Sequence, residues 1–268
     1  MKHAYIAPIN YLHLVPKESK THLLLVHLLS NKQYVDFYKA RQKDGDFIIL
    51  DNSAFEFKKP ASGEYILNAV EKSGIIPDVI VAPDYPFEKS VVTIKSTIEF
   101  INQYSKQFPP SVKFLSVPQS KKGEVDDWIS CYRELSDITD WIGMSILGIP
   151  NAFCSITQTE DISFNRVFAT IYLKQCGIIN PKILHHYLGL GDSIREILIQ
   201  KELGVAYSND SSSAFWHGIH STRFDDSAGG LQKGKIRKEV DFSYPFVEST
   251  ADSINYNIQY IENFITNK

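Results

Sequence analysis

The chain has 268 residues, 43% of them hydrophobic, with 28 basic against 31 acidic side chains and a formal net charge of -3. That length and apolar content suit one large core, and the near balance of charge excludes a global field drawing the molecule onto nucleic acid or an anionic membrane. Cys131, Cys154 and Cys176 show neither CxxC nor CxC spacing, which argues against both a disulfide framework and a thiolate metal site.

In chain order, MKHAYIAPIN has no signal-peptide core, and the run HLLLVHLL falls far short of the roughly 20 apolar residues of a membrane span. A soluble, cytoplasmic protein without a membrane partner is expected. Short apolar runs then alternate with segments of helical period. The expected strands cover 4–7, 47–50, 79–82, 113–117, 141–146, 183–187, 205–208 and 238–242. A helix is expected over 92–108, with Ile94, Ile98, Ile101, Tyr104 and Phe108 on one face, and the closing helix repeats this with Ile254, Ile258, Ile261 and Ile265. No repeat, low-complexity segment or linker divides the chain.

The most informative stretch is KILHHYLGLGDSIREILIQKELGVAYSNDSSSAF, from Lys182 to Phe215. It reads as a strand, a glycine turn (Gly189, Gly191), a helix opened by Ser193 with Glu196 at capping-box spacing, and a strand delivering Asp210. This is a βαβ unit of a parallel sheet, whose ligands sit at strand C-terminal ends. Eight such cycles predict an α/β fold, a single-domain (β/α)8 barrel spanning 1–268, with a doubly wound sheet as the runner-up.

In a barrel, residues just past each strand line the active face. They include Pro8 and Asn10, Asp51 in LDNSAF, Asp84 in VAPDYP, Gln119, Gly143 and Ser145, the HHYLGLG segment, and Asp210 in SNDSSSA. Three aspartates directly behind apolar strands point to pocket carboxylates that divide into nucleophile, proton acceptor and hydrogen-bond acceptor. No lysine stands behind these strands, which disfavours Schiff-base chemistry. His217 and His220 have HxxH spacing without nearby ligands, so neither metal nor cofactor is expected. Carboxylate attack at a sugar carbon needs no cofactor.

The ordered motifs LDNSAF, VAPDYP, SVPQS, WIGMSILG and HHYLGLGDSIREILIQKELGVAYSNDSSSA resemble the tRNA-guanine transglycosylase superfamily. Ala54 departs from that family's usual glycine, and no cysteine follows Cys176 where the tRNA enzymes carry a zinc subdomain. A short chain of this kind resembles the DNA-modifying (DpdA-type) branch of bacterial modification systems and phages. The resemblance implies a pentosyltransferase that exchanges guanine in DNA for a free 7-deazaguanine, such as 7-cyano-7-deazaguanine, through a covalent Asp-sugar intermediate. It implies Asp210 as nucleophile, Asp51 as general base, and Asp84, Gln119, Gly143 and Ser145 at the base, with His185 and Gly189 from the glycine-turn segment. His185 and His186 alternate across one strand, so at most one can face the pocket.

The target base must leave the duplex stack, at a cost of a few kcal/mol. Trp216 is the expected stacking partner, and Arg223, Lys233, Lys235 and Arg237 are expected at phosphates; a homodimer is compatible with this reading. The alternatives are a tRNA-directed transglycosylase without the zinc module, a base-removing hydrolase, and a catalytically silent barrel that binds nucleic acid or an active partner.

Overall fold

Eight short segments form parallel strands: β1 (Lys2–Tyr5), β2 (Thr21–Leu25), β3 (Phe47–Asp51), β4 (Val79–Val81), β5 (Lys113–Ser116), β6 (Trp141–Gly143), β7 (Leu184–Tyr187) and β8 (Ala206–Ser211). Their hydrogen-bonded order is β1-β8-β7-β6-β5-β4-β3-β2. β1 packs beside β2 and brings the sheet round to a nearly closed (β/α)8 barrel. The structure is a computed structural model and describes residues 1–159, 161–190, 193–225 and 240–266.

Six of the expected strands match β3 to β8, and the first begins two residues earlier than expected. The expected strand over 238–242 is corrected: residues 238 and 239 lie outside the described set, and Val240, Asp241 and Phe242 form no strand. Instead the Phe242 carbonyl accepts the Ile9 N–H at 2.8 Å, fixing this segment against the loop behind β1. The missing strand is β2, THLLL, which is buried at every position. A strand covered on both faces shows no alternation of polar and apolar residues.

The helices on the outside follow local rules. Asn31 caps α1 (Lys32–Lys43) by accepting the Tyr34 N–H. α2 (Ala54–Phe57) is a single turn, and Ser62 caps α3 (Gly63–Ser73), which stops at left-handed Gly74. α4 (Ser90–Tyr104) buries Ile94, Thr97 and Phe100, while Ile98 and Ile101 are only partly covered. The inner face is thus turned from the one expected, because Phe100 rather than Ile98 packs on Phe114. α5 (Val125–Ser136), α6 (Gly148–Thr157), α7 (Ile162–Gln175), α8 (Arg195–Leu203) and α9 (Ser213–Ile219) follow. α10 (Ala251–Thr266) buries Ile254, Ile258 and Ile261 as expected.

The two ends of the barrel differ in chemistry. At the N-terminal end Trp141 stacks on Phe47 at 5.7 Å and meets Tyr207 edge-on at 5.2 Å, with the Lys2 ammonium over Tyr207. This aromatic plug leaves polar side chains to gather at the other end, where the strands deliver carboxylates. Among the described residues no helix is long and apolar enough to cross a membrane.

Candidate active site

Asp51, the last residue of β3, sits under a strained turn. Ser53 behind it takes φ +55°, a left-handed conformation uncommon outside glycine. That turn aims the Ser53 N–H at Asp51 Oδ2, 2.7 Å away, and the Ser53 hydroxyl at His27 Nδ1, 2.8 Å away. Burial pushes the Asp51 carboxyl well above the usual carboxylate range, and Glu56, Asp84 and Asp210 add to the shift in that order. Acids from the β4 and β8 ends and from α2 therefore stand within electrostatic reach of the Asp51 carboxyl. Glu56, on α2, was missed in the sequence; its Oε2 is buried without a hydrogen-bond partner, and burial raises its pKa. The signal was its place five residues after Asp51 on the same loop.

Asp84 follows β4 and is 5% exposed. Asn52 donates to its Oδ1 and Gln119 to its Oδ2, each at 2.8 Å. Burial raises its pKa to about 6 despite both donors. Asn52 is itself fixed, donating to the Ala82 carbonyl and accepting the Ala54 N–H. The Gln119 amide was expected at a base carbonyl but points instead to Asp84. A carboxylate only accepts, so the nitrogen must face it, and Gln119 Oε1 is left buried without a donor. Gly148 makes room for that oxygen: a Cβ there would stand 2.7 Å from it.

Asp210 is the fifth residue of β8 and is 4% exposed. Its Oδ1 accepts from His186 Nε2 and from the Gly189 N–H, both at 3.0 Å. Gly189 has φ +71°, and a Cβ would meet Ile146 Cγ2 at 2.8 Å, so glycine is required there by both conformation and space. The turn is held from behind by Arg166 of α7. Its guanidinium donates to the carbonyls of Leu188 and Gly189, each at 2.8 Å, and pairs through Nε with buried Glu196 of α8. Arg166 is 1% exposed. Glu196 thus serves an ion pair, where capping-box spacing was expected to set its role. The helix begins at Arg195, with Ile194 rather than Ser193 in the cap position.

Several expected site residues stand elsewhere. His185 faces away from the acids, stacked on Tyr132 and bonded to its hydroxyl at 2.9 Å, and burial lowers its pKa to about 4. His186 is the histidine that faces the site, a choice that alternation alone left open. Gly143 lies in the barrel wall, where a Cβ would collide with Leu188, Leu115 and Val117; its service is to packing. The Ser145 hydroxyl accepts the N–H groups of Leu147 and Gly148 at 3.1 Å and so begins α6.

Trp216 is buried against His220 and Tyr244 and offers no platform for a base. Arg223 is exposed but lies over the Tyr256 ring of α10 at 5.1 Å. Lys233, Lys235 and Arg237, with Gly191, lie outside the described residues. His217 and His220 each bond a backbone carbonyl four residues back, and among the described residues no cluster of three or more His, Cys, Asp or Glu could hold a metal.

A group of exposed aromatic side chains lies on the segments behind β3 and β4. Phe55, Phe57, Tyr65, Tyr85 and Phe87 are all exposed, with the Lys58 ammonium over the Phe55 ring. A groove of about 640 Å³ runs among Phe57, Tyr65, Tyr85, Phe100 and Tyr104.

No protein-family model matches the sequence. No curated protein matches it either. Solved structures align over nearly the whole chain at low identity. N-acetylneuraminate lyase from Mycoplasma synoviae shares 10% identity over 98% of this chain and 96% of that one, with a TM-score of 0.44. The tryptophan synthase alpha chain from Legionella pneumophila subsp. pneumophila shares 11% over 100% and 93%, with a TM-score of 0.45. A protein assigned as a fructose-1,6-biphosphate aldolase from Coccidioides immitis shares 12% over 98% and 86%, with a TM-score of 0.49. Likeness at this level says nothing of chemistry, which must come from the site itself.

Proposed function

We propose that this barrel is a guanine transglycosylase that exchanges guanine in DNA for a free 7-deazaguanine. The observation that carries the reading is that Asp51, Asp84 and Asp210, the three residues the family resemblance singles out, come from separate parallel strands and all stand at the C-terminal end of the barrel, each carboxyl buried among hydrogen-bond donors. Their environments differ as the chemistry requires. Asp210 is gripped by two donors on one oxygen, Asp51 is held towards its acid form, and Asp84 is fixed by two amides.

The exchange then balances as two displacements. Asp210 forms a bond to the anomeric carbon as the bond to guanine breaks, its electron pair leaving with the base, which takes a proton from the Asp51 carboxyl. The incoming 7-deazaguanine returns a proton to Asp51, attacks the same carbon and releases Asp210 as a carboxylate. Two inversions restore the configuration. Asp84 accepts from the N–H groups of a guanine-like edge through the lone pairs that its two amide donors leave; adenine, whose edge sets an unprotonated ring nitrogen against the carboxylate, is disfavoured. The aromatic groove behind β3 and β4, in place of Trp216, supplies stacking surface for nucleotides flanking the extruded base.

The test is incorporation of labelled 7-cyano-7-deazaguanine into guanine-containing DNA and, in parallel, into tRNA. Label in DNA supports the reading, while label in tRNA alone reassigns the acceptor. Guanine release with no incorporation would mark a hydrolase. No reaction with either nucleic acid would leave a silent barrel.

A further inference from the structure

We propose that the two oxygens of Asp210 have separate tasks: Oδ1 is the anchored oxygen and Oδ2 attacks the sugar, with His186 a positioning residue that favours release of the sugar from the enzyme. The inference rests on the transglycosylase reading above. Both hydrogen bonds to Asp210, from His186 Nε2 and Gly189 N–H, end on Oδ1, and none among the described residues ends on Oδ2. Oδ2 is also not among the buried atoms left without a partner.

A carboxylate oxygen only accepts, so Nε2 carries the proton facing Asp210. In the neutral imidazole Nδ1 then accepts from the Ser208 hydroxyl, 2.7 Å away, which fixes the tautomer and the ring plane. His186 and Ser208 are fully buried and belong to adjacent strands, β7 and β8, so the ring cannot swing without disturbing the barrel wall.

The consequence concerns the second displacement. In free Asp210 the negative charge is shared by both oxygens, and donors to Oδ1 form charge-assisted bonds, which are about twice as strong as neutral ones. Once Oδ2 bonds the anomeric carbon, that charge is gone and Oδ1 becomes an ester carbonyl, a weaker acceptor. The His186 and Gly189 donors therefore stabilise the departing carboxylate more than the sugar ester. Their gain is realised as the C–Oδ2 bond breaks and its electron pair returns to Asp210.

The experiment compares full-length wild type, His186→Phe and His186→Gln on a guanine-containing oligodeoxynucleotide, with and without 7-cyano-7-deazaguanine. It measures exchange together with the fraction of protein held as covalent adduct. His186→Phe removes the donor at similar volume, so exchange should fall about 10- to 100-fold, the worth of one hydrogen bond to a charged group. The adduct fraction should rise, because breakdown slows more than formation. His186→Gln, which keeps an N–H donor, should move both values back towards wild type.

Ser208→Ala keeps the ring but frees its tautomer. It should shift the partition the same way by less, and it serves as the readout if His186→Phe does not fold. A wild type that exchanges and forms adduct, with an adduct fraction unchanged or lowered in these variants, overturns this inference alone. A wild type showing neither exchange nor adduct removes the transglycosylase reading and this inference with it.

Discussion

Gly189 donates its backbone N–H to Asp210 Oδ1 at 3.0 Å, bridging 21 residues of chain between the end of β7 and the end of β8. A backbone donor cannot be altered by exchanging a side chain, so the carboxylate's position depends on the turn that carries it. Gly189→Ala places a Cβ at φ +71° and 2.8 Å from Ile146 Cγ2. A stability loss of about 1–3 kcal/mol is expected in denaturant melts. Exchange should drop further than stability, since an error of about 1 Å in a reacting group can cost about 100-fold.

The Asp51 carboxyl links activity to pH and stability. Its pKa is raised by burial and by the acids around it, so the folded chain keeps a proton that the unfolded chain releases above about pH 4. The folded state binds more protons in that range, and stability falls as pH rises through the Asp51 pKa. Asp51→Asn removes the titration while retaining an acceptor for the Ser53 N–H. It is expected to melt higher than wild type at neutral pH, with the gap closing below about pH 4, and to lose about 10²- to 10⁴-fold in exchange. In wild type, adduct formation should slow as pH rises through the same pKa, because in the proposed exchange the departing base takes the Asp51 proton.

Arg166 and Glu196 form a buried ion pair behind the glycine turn. Arg166→Met removes the buried cation beside Glu196 and should cost about 3–5 kcal/mol in chemical denaturation. The double variant Arg166→Met, Glu196→Leu should regain most of that, because a buried pair often gives way to apolar packing at little cost. Exchange should stay low in the double variant, since the Leu188 and Gly189 carbonyls lose the guanidinium that orients their turn. Recovery of stability without recovery of exchange separates the two roles of this pair.

The barrel was legible in the sequence because most strands are short apolar runs closed by turn residues, and the three aspartates drew notice because each stands at the end of such a run. β2 was not, since THLLL is covered on both faces and followed by more apolar residues, so it has no period to read. The His185 and His186 faces were undecidable because alternation separates the two side chains without saying which points inward, and the register shift between them in the pairing of β7 with β8 shows only in the structure. Arg166 and Glu196 stayed hidden for another reason. They are 30 residues apart on different helices, and only the packing of α7 against α8 reveals that two charges share one buried site. Trp216 looked available because it follows Asp210, but α9 turns its ring onto Tyr244.

Asp84 offers a test of base recognition separate from the sugar chemistry. Gln119→Leu removes one of its two amide donors. The carboxyl pKa should then rise above about 6, since burial continues to raise it and one lowering contact is gone. The expected kinetic change is a KM for the incoming base raised about tenfold or more, the loss of one charged hydrogen bond, with a smaller change in kcat. Titration of the variant's exchange rate between pH 5 and 8, about the range over which such a carboxyl would change state, checks the direction.

The most direct measurement is intact-protein mass spectrometry with peptide mapping after incubation with a guanine-containing oligodeoxynucleotide, with Asp210→Asn as the control. The account expects a nucleic-acid adduct on the peptide carrying Asp210, discharged by 7-cyano-7-deazaguanine and absent from Asp210→Asn. An adduct on another residue, or exchange that persists in Asp210→Asn, would contradict it.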